Sequence, residues 1–282
     1  MTELSTTSNS PLVTIDRPDR KLLAVGRGED LTRGVAAEAL QLAGIMEPGR
    51  FNVLVVPTPA STQKSYDKYV SNAVDIFGNV LGGDITILHG PQQNPSREQY
   101  LDGLGNADII WTTGGSSVNA KRSFDETGFG EALVESQGKV IAGGSAGAVL
   151  QATEAMSWYT PVGEPEKNAF VPVDGLGLID VTLSPHLDYV ETSDGLTLPR
   201  SHYFGPFLEN NDVTMPGLGI DDAAAIAFAD GKYRILAQDN ATSEAGISMY
   251  HRNTENGLSV VRHMPSPDYL PINQLGQAHK DS

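Results

Sequence analysis

Ser145 stands in Gly143-Gly144-Ser145-Ala146-Gly147, which fits G-x-S-x-G. In that pattern a serine is held on a tight strand-to-helix turn with its hydroxyl aimed outward. Small flanking residues are needed because the backbone there is crowded. Val140 to Ala142 reads as the end of a buried strand and Ala146 to Ala155 as a helix. A helix starting behind the serine favours negative charge developing in front of it. The same pentapeptide also suits a plain strand–Gly–helix turn with a serine N-cap, so the rest of the chain has to decide.

A serine hydroxyl is a weak nucleophile near neutral pH and needs a base, which in turn needs an orienting acid. The sequence has six histidines. His279 is in the tail, His251 and His263 lie near a polar β edge, His89 ends a strand, and His202 follows Arg200 in an expected surface loop. His186, in Leu183-Ser184-Pro185-His186-Leu187-Asp188, comes just past a strand end, where a base belongs in this architecture. Carboxylates between Ser145 and His186 are Glu154, Glu164, Glu166, Asp174 and Asp180. Glu154 is expected on the helix behind the serine, facing away. Glu164 and Glu166 flank Pro165 in a loop that can reach over an imidazole.

The elements that must position these groups follow from apolar runs. Leu22–Val25, Val53–Val56, Ile85–Leu88 and Ile109–Trp111 precede Val140 as short strands, apolar throughout. Leu31–Leu42, Thr62–Leu81, 97–104 and Gly128–Ser136 read as helices between them; the second repeats its apolar residues at three and four. Strands buried on both faces and alternating with helices imply a parallel sheet covered on both sides. Right-handed crossovers then bring loops 26–30, 57–61, 113–118 and 143–147 to one edge, outside the carboxyl ends of the strands. Gly26-x-Gly28 lacks the third glycine of a dinucleotide fingerprint. Later strands are expected at Val181–Ser184, Gly219–Phe228, Tyr233–Leu236 and Leu258–Val261. They would finish the sheet and add a C-terminal β edge.

The expected fold is a three-layer α/β/α domain over 21–264, with a mostly parallel sheet. A loose arm at 1–20 and a polar tail at 265–282 flank it. With 282 residues and 39% hydrophobic content the chain can bury a sizeable core. A net charge of −16 argues against nucleic acid or an anionic membrane as partner. There is no cysteine, which excludes disulfides and thiolate chemistry. No run is long enough for a membrane span, and Met1–Ser10 lacks a secretion signal's charged start and apolar core, so the expected location is the cytoplasm. No metal-ligand spacing or phosphate-loop motif is present, so no metal and no cofactor is expected.

Several stretches in order resemble the peptidase S51 family, which includes dipeptidase E and cyanophycinase. They are Thr113-Gly114-Gly115, Gly143 to Ala148, Leu176-Gly177-Leu178-Ile179, Ser184-Pro185-His186-Leu187-Asp188-Tyr189, and Gly219-Ile220-Asp221-Asp222-Ala223-Ala224-Ala225. The likeness spans about Leu22 to Ala237 and implies a sheet layered as in class I glutamine amidotransferases. It further implies a serine peptidase with Ser145 as nucleophile, His186 as base and Glu164 as acid, Glu166 being the alternative. The backbone amides of Gly115 and Ala146 would form the oxyanion site. Pro-His-Leu-Asp-Tyr is closer to dipeptidase E, whose downstream arginine holds an aspartate side chain of the substrate; Arg200 falls at that place. Where such chains carry Asn after the Gly-Gly, this one has Ser116-Ser117 with Asn119 beyond. That makes Ser116 and Asn119 the expected further substrate contacts.

The implied substrate is a small peptide, cut after an acidic residue. The rival readings are a cyanophycinase-like exopeptidase acting on a branched Asp-Arg polymer, an α/β-hydrolase esterase, and an inactive binding protein on the same fold. An esterase of that type carries an earlier HGGG-type motif and a much later histidine, and neither is visible. Pairing of two copies through an edge strand or helix is the expected assembly.

Overall fold

A computed structural model of the chain describes residues 13–277, apart from 28–30, 48, 50, 89–94, 160–168, 194–195, 212, 240, 242–243 and 254–256. The first half alternates strand and helix: β1 (Lys21–Val25), α1 (Arg33–Ala43), β2 (Asn52–Val56), α2 (Gln63–Ala73), β3 (Asp84–Ile87), α3 (Arg97–Asn106), β4 (Ile109–Thr112), α4 (Ser117–Thr127), α5 (Phe129–Glu135), β5 (Val140–Gly144) and α6 (Ala146–Val149). Local chemistry sets the ends. Thr32 caps α1, whose C-terminus closes on Gly44 in the left-handed region at φ 77°. Ser96 and Gln99 form a capping box at the start of α3. After α2 the helix widens into π turns over Val74–Val80.

The second half is richer in strands: β6 (Ala152–Tyr159), β7 (Ala169–Asp174), β8 (Ile179–Pro185), β9 (Val190–Ser193), β10 (Leu196–Pro199), α7 (Ser201–Asn210), β11 (Gly217–Ile220), β12 (Ala224–Ala229), β13 (Lys232–Ala237), β14 (Ile247–Asn253), β15 (Gly257–His263) and β16 (Leu270–Pro271). An eight-stranded sheet runs β16-β13-β12-β1-β5-β4-β2-β3, and a six-stranded sheet runs β15-β14-β11-β8-β6-β7. From β1 to β3 the large sheet is parallel; β12, β13 and β16 add an antiparallel flank.

One face of the large sheet, including Leu23, Val25, Val53, Val55 and Trp111, packs on α1 and α2. The other face, including Leu22, Ala24, Leu54 and Ile141, shares a core with α3, α4, α5 and the inner face of the smaller sheet, among them Ala155, Leu183, Leu218 and Ile220. The expected α/β/α layering is present, and the smaller sheet is built into it. Phe204, Phe207 and Leu208 of α7 pack with Met156, Leu187 and Tyr250 in a separate cluster.

Four expectations need correcting. The helix behind Ser145 ends at Val149, because Ala152–Tyr159 is drawn into pairing with β7 and β8; Glu154 therefore lies on a strand. A single strand over Gly219–Phe228 is instead two, β11 in the smaller sheet and β12 in the larger, joined by a turn at Asp221–Ala223. The arm is not loose at 13–20: Val13 is fully buried, and buried Arg20 holds Asp16 and the carbonyls that end α5. The tail from Pro265 contributes β16 and a buried Leu275.

Candidate active site

Ser145 follows β5 at φ 53° and ψ −109°, a strained conformation for a residue with a side chain. The flanking glycines explain how the turn fits. A Cβ on Gly143 would come within 2.7 Å of the Gly147 carbonyl, and one on Gly147 within 2.2 Å of the Thr112 carbonyl oxygen on β4. The Ser145 N–H donates to Val25 O at 3.0 Å, so β1 grips the turn from the other side. Gly115 sits opposite at φ 135°, so close to Pro59 that a Cβ would fall 2.1 Å from its carbonyl oxygen. The next residue, Ser116, donates its N–H to that same oxygen at 2.7 Å. The described parts of loops 26–30, 57–61, 113–118 and 143–147 thus meet at one edge.

The imidazole reaches the serine from the smaller sheet. Parallel pairing of β8 with β11 ends at Pro185 opposite Ile220, and the next residue is His186. Its Nε2 lies 2.5 Å from Ser145 Oγ. Its Nδ1 lies 2.7 Å from Asp222 Oδ1, in the turn between β11 and β12. Arg27, at the end of β1, stands 3.6 Å from the second oxygen of that carboxylate. Serine, imidazole and carboxylate form one continuous chain of contacts.

The charge states suit proton transfer. Burial pushes His186 below its ordinary value; the hydrogen bond it donates to Asp222 works against this, and the Arg200 charge adds to the lowering. The ring is therefore neutral, and able to accept a proton, at neutral pH. Burial alone would raise the Asp222 carboxyl, but the hydrogen bond it accepts from His186, its electrostatic interaction with that ring and the positive charges of Arg27 and Arg200 outweigh it and hold the group low. The result is a carboxylate facing a neutral imidazole, which fixes the tautomer with a proton on Nδ1 and a lone pair on Nε2.

A cavity of about 180 Å³ opens beside Ser145. Gly115, Ala146, Ser117, Ser157, Trp158 and Arg200 line it together with Ser145 and His186. Ala146 is the first residue of α6, so its N–H has no acceptor within the helix. Arg200 is 6% exposed; its Nη1 donates to Pro185 O at 2.7 Å and its guanidinium lies 5.4 Å from the centre of the Phe170 ring. Ser117 and Ser157 hydroxyls are 2.5 Å apart.

The sequence-derived candidates fare differently. Ser145, His186, Gly115, Ala146 and Arg200 come together around this cavity. Ser116 instead caps α4 with its hydroxyl, and Asn119 is exposed on that helix; neither lines the cavity, where Ser117 appears. Glu164 and Glu166 lie outside the described residues. The place expected for Glu164 is held by Asp222: with Nε2 at Ser145 and Nδ1 at Asp222, both ring nitrogens are engaged. Sequence reasoning missed Asp222 because the acid was expected between Ser145 and His186, and because Gly219–Phe228 reads as one strand. The available signal was Asp221-Asp222 itself, since paired aspartates disfavour strand and favour a turn.

The family model for peptidase family S51 matches residues 22–236. The chain belongs to peptidase family S51. Comparison with curated proteins found no match. Among solved structures, this S51 chain is similar to a peptidase from an acI-B1 Actinobacterium. The identity is 15% and the TM-score 0.62, over 90% of this chain and 97% of that one. A peptidase E-like protein from Listeria monocytogenes EGD-e is 17% identical with a TM-score of 0.55, over 78% and 99%. At such identities the likeness is one of fold. Among the described residues of the S51 chain, no group of three or more His, Asp or Glu side chains could hold a metal ion, and no helix is long and apolar enough to cross a membrane.

Proposed function

We propose that this S51 peptidase is a serine peptidase of small peptides that works through Ser145, His186 and Asp222. The observation carrying the reading is the Ser145 Oγ–His186 Nε2 contact at 2.5 Å, backed by Asp222 on Nδ1 at 2.7 Å. In the first step Ser145 Oγ attacks the scissile carbonyl as Nε2 takes the hydroxyl proton. Asp222 stays ionised and steadies the imidazolium. The Gly115 and Ala146 amides hold the carbonyl oxygen as it becomes negative. Nε2 then hands its proton to the leaving amine, and the peptide C–N bond breaks to leave an ester on Ser145. Water, deprotonated by the same nitrogen, hydrolyses that ester and frees the serine.

Arg200 supports an acidic residue just before the cut. It places a guanidinium on the wall of a cavity of about 180 Å³, in a protein of net charge −16. A guanidinium fork suits a carboxylate, and the Ser117 and Ser157 hydroxyls offer further donors. The small volume favours a short side chain such as aspartate over a long one.

The test is labelling by a fluorophosphonate, followed by cleavage of a peptide library beside p-nitrophenyl esters. Labelling of the wild-type chain, none of S145A, and cleavage after acidic residues are the expected results. An unlabelled wild type, or ester turnover without peptide cleavage, would overturn the reading.

A further inference from the structure

His186 and Asp222 reach one another from separate loops, and a second side chain, Asp188, also joins those loops. His186 follows β8, and Asp222 follows β11. Past the Pro185–Ile220 pair the two strands keep one more backbone rung, Leu187 N–H to Ile220 O at 3.1 Å. Beyond it the chain after β11 turns away toward β12 in the other sheet. At that point Oδ1 of Asp188 accepts the backbone N–H of Asp222 at 2.8 Å. Asp188 lies two residues after His186, on a turn closed by Tyr189 N–H to His186 O at 3.1 Å. The chain from His186 to Asp188, the hydrogen bond that Asp188 Oδ1 accepts from Asp222 N–H, and the hydrogen bond that Asp222 Oδ1 accepts from His186 Nδ1–H close into a ring.

We infer that Asp188 is a positioning residue: its carboxylate serves as a side-chain rung that sets the Asp222 backbone so that the Asp222 carboxylate meets Nδ1 of His186. The inference rests on the proposed roles of Ser145, His186 and Asp222. The other holds on this turn come from elsewhere. Gln238 Nε2 donates to Asp222 O at 3.0 Å, while Asp221 accepts Gly246 N–H at 3.0 Å and pairs with Arg262. Those contacts anchor the turn to the end of β13, the start of β14 and β15. Asp188 anchors it to the imidazole's own loop, and so sets the distance that proton transfer depends on. Displacement of such a group by about 1 Å is enough to cost on the order of a hundredfold in rate.

Asp188 is exposed; partial loss of water around its carboxyl raises it above its ordinary value, the neighbouring charges of Asp221 and Asp222 raise it further, and the Asp222 N–H offsets part of this. The role needs an oxygen at that spot, with no need for the charge. Asparagine meets it and alanine does not.

The experiment compares Asp188→Asn, Asp188→Ala and Asp188→Ser in the full chain, by two readouts. One is the far-downfield proton resonance of His186 Nδ1–H. The other is the rate of fluorophosphonate labelling of Ser145. D188N is expected to keep the resonance and label within about threefold of wild type. D188A is expected to lose or broaden the resonance and label about 10- to 100-fold more slowly, with an unchanged circular dichroism spectrum. D188S, whose hydroxyl is too short to reach, replaces D188A if the latter does not fold. A resonance and rate kept in D188A, or a D188N as impaired as D188A, would overturn the assignment. If the wild type does not label at all, the peptidase reading fails, while the Nδ1–H resonance still decides the tether.

Discussion

The two sides of the candidate site are held by different kinds of structure. Ser145 and Gly115 follow β5 and β4, parallel strands buried on both faces in the middle of the large sheet. Their turns are fixed by backbone-to-backbone contact so close that only glycine fits at 115, 143 and 147. His186 and Asp222 come from β8 and the β11–β12 turn, and side chains hold them: Asp188, Gln238, Arg27 and Arg200. A nucleophile turn built from backbone is rigid and intolerant of added atoms. A base–acid pair built from side chains can be tuned by substituting one residue at a time.

The largest effects should come from the reacting groups, and they also decide which acid belongs to the site. S145A is expected to lose labelling altogether and to cut turnover by about a thousandfold to a millionfold. D222N keeps the shape but removes the charge that stabilises the imidazolium, and should cut turnover by about a thousandfold to ten-thousandfold. E164Q should leave turnover near wild type. Steady-state cleavage of the best library peptide measures all three, and an E164Q as damaged as D222N would return the acid's role to the loop 160–168.

That contrast also explains what was legible in the sequence. The parallel strands could be read because each is a short apolar run buried on both faces, a local property of Val53–Val56 or Ile109–Trp111. Ser145 could be read because its neighbours must be small whatever the rest of the fold does. The second sheet could be read only in part: Val181–Ser184 and Leu258–Val261 fall in β8 and β15, but β6 is a strand through pairing with β7 and β8, and Ala152-Thr153-Glu154-Ala155 has no local reason to leave a helix. Helix α4 was missed for a related reason: Ser117-Val118-Asn119 is a poor helical opening, stabilised by its Ser116 cap and by burying Ala120 and Phe124. Asp222 belongs to this non-local class. Its partner lies 36 residues earlier in the chain and in a different loop.

Arg200→Gln comes next in size. Loss of one charge-assisted contact to an acidic substrate should lower kcat/KM by about 10- to 100-fold for a peptide with aspartate before the cut, and far less for one with alanine there. Equal losses on the two peptides would place Arg200 in the scaffold of the base loop through its bond to Pro185 O, and outside the substrate pocket.

The glycines test rigidity directly. G147A drives a Cβ to 2.2 Å from the Thr112 carbonyl oxygen, so β4 or α6 must move, with an expected loss of about 1–3 kcal/mol by denaturant unfolding. G105A in α3 meets nothing within 4 Å and should be neutral, or stabilise by about 0.5–1 kcal/mol through the unfolded chain. A G147A chain of wild-type stability would show that the nucleophile turn has more slack than its backbone contacts allow.

The smallest expected effect is a shift in pH dependence, and it probes the side-chain-held half alone. His186 must be neutral to accept the serine proton, and its value lies below the usual 6.5, first because of burial and then through the balance of Asp222 against Arg200 and Arg27. The labelling rate should therefore rise with pH through a midpoint below 6.5. Stability should move in the same direction. Between the folded and unfolded values the unfolded chain binds more protons, so this group's contribution is complete above the unfolded value and falls away as pH drops through that window. R200Q removes a charge that disfavours the imidazolium and should raise the midpoint. D222N removes the partner that favours it and should lower the midpoint in whatever activity remains. Opposite shifts in the two variants would show that side chains set the base; unchanged midpoints in both would mean that burial at the end of β8 sets it without them.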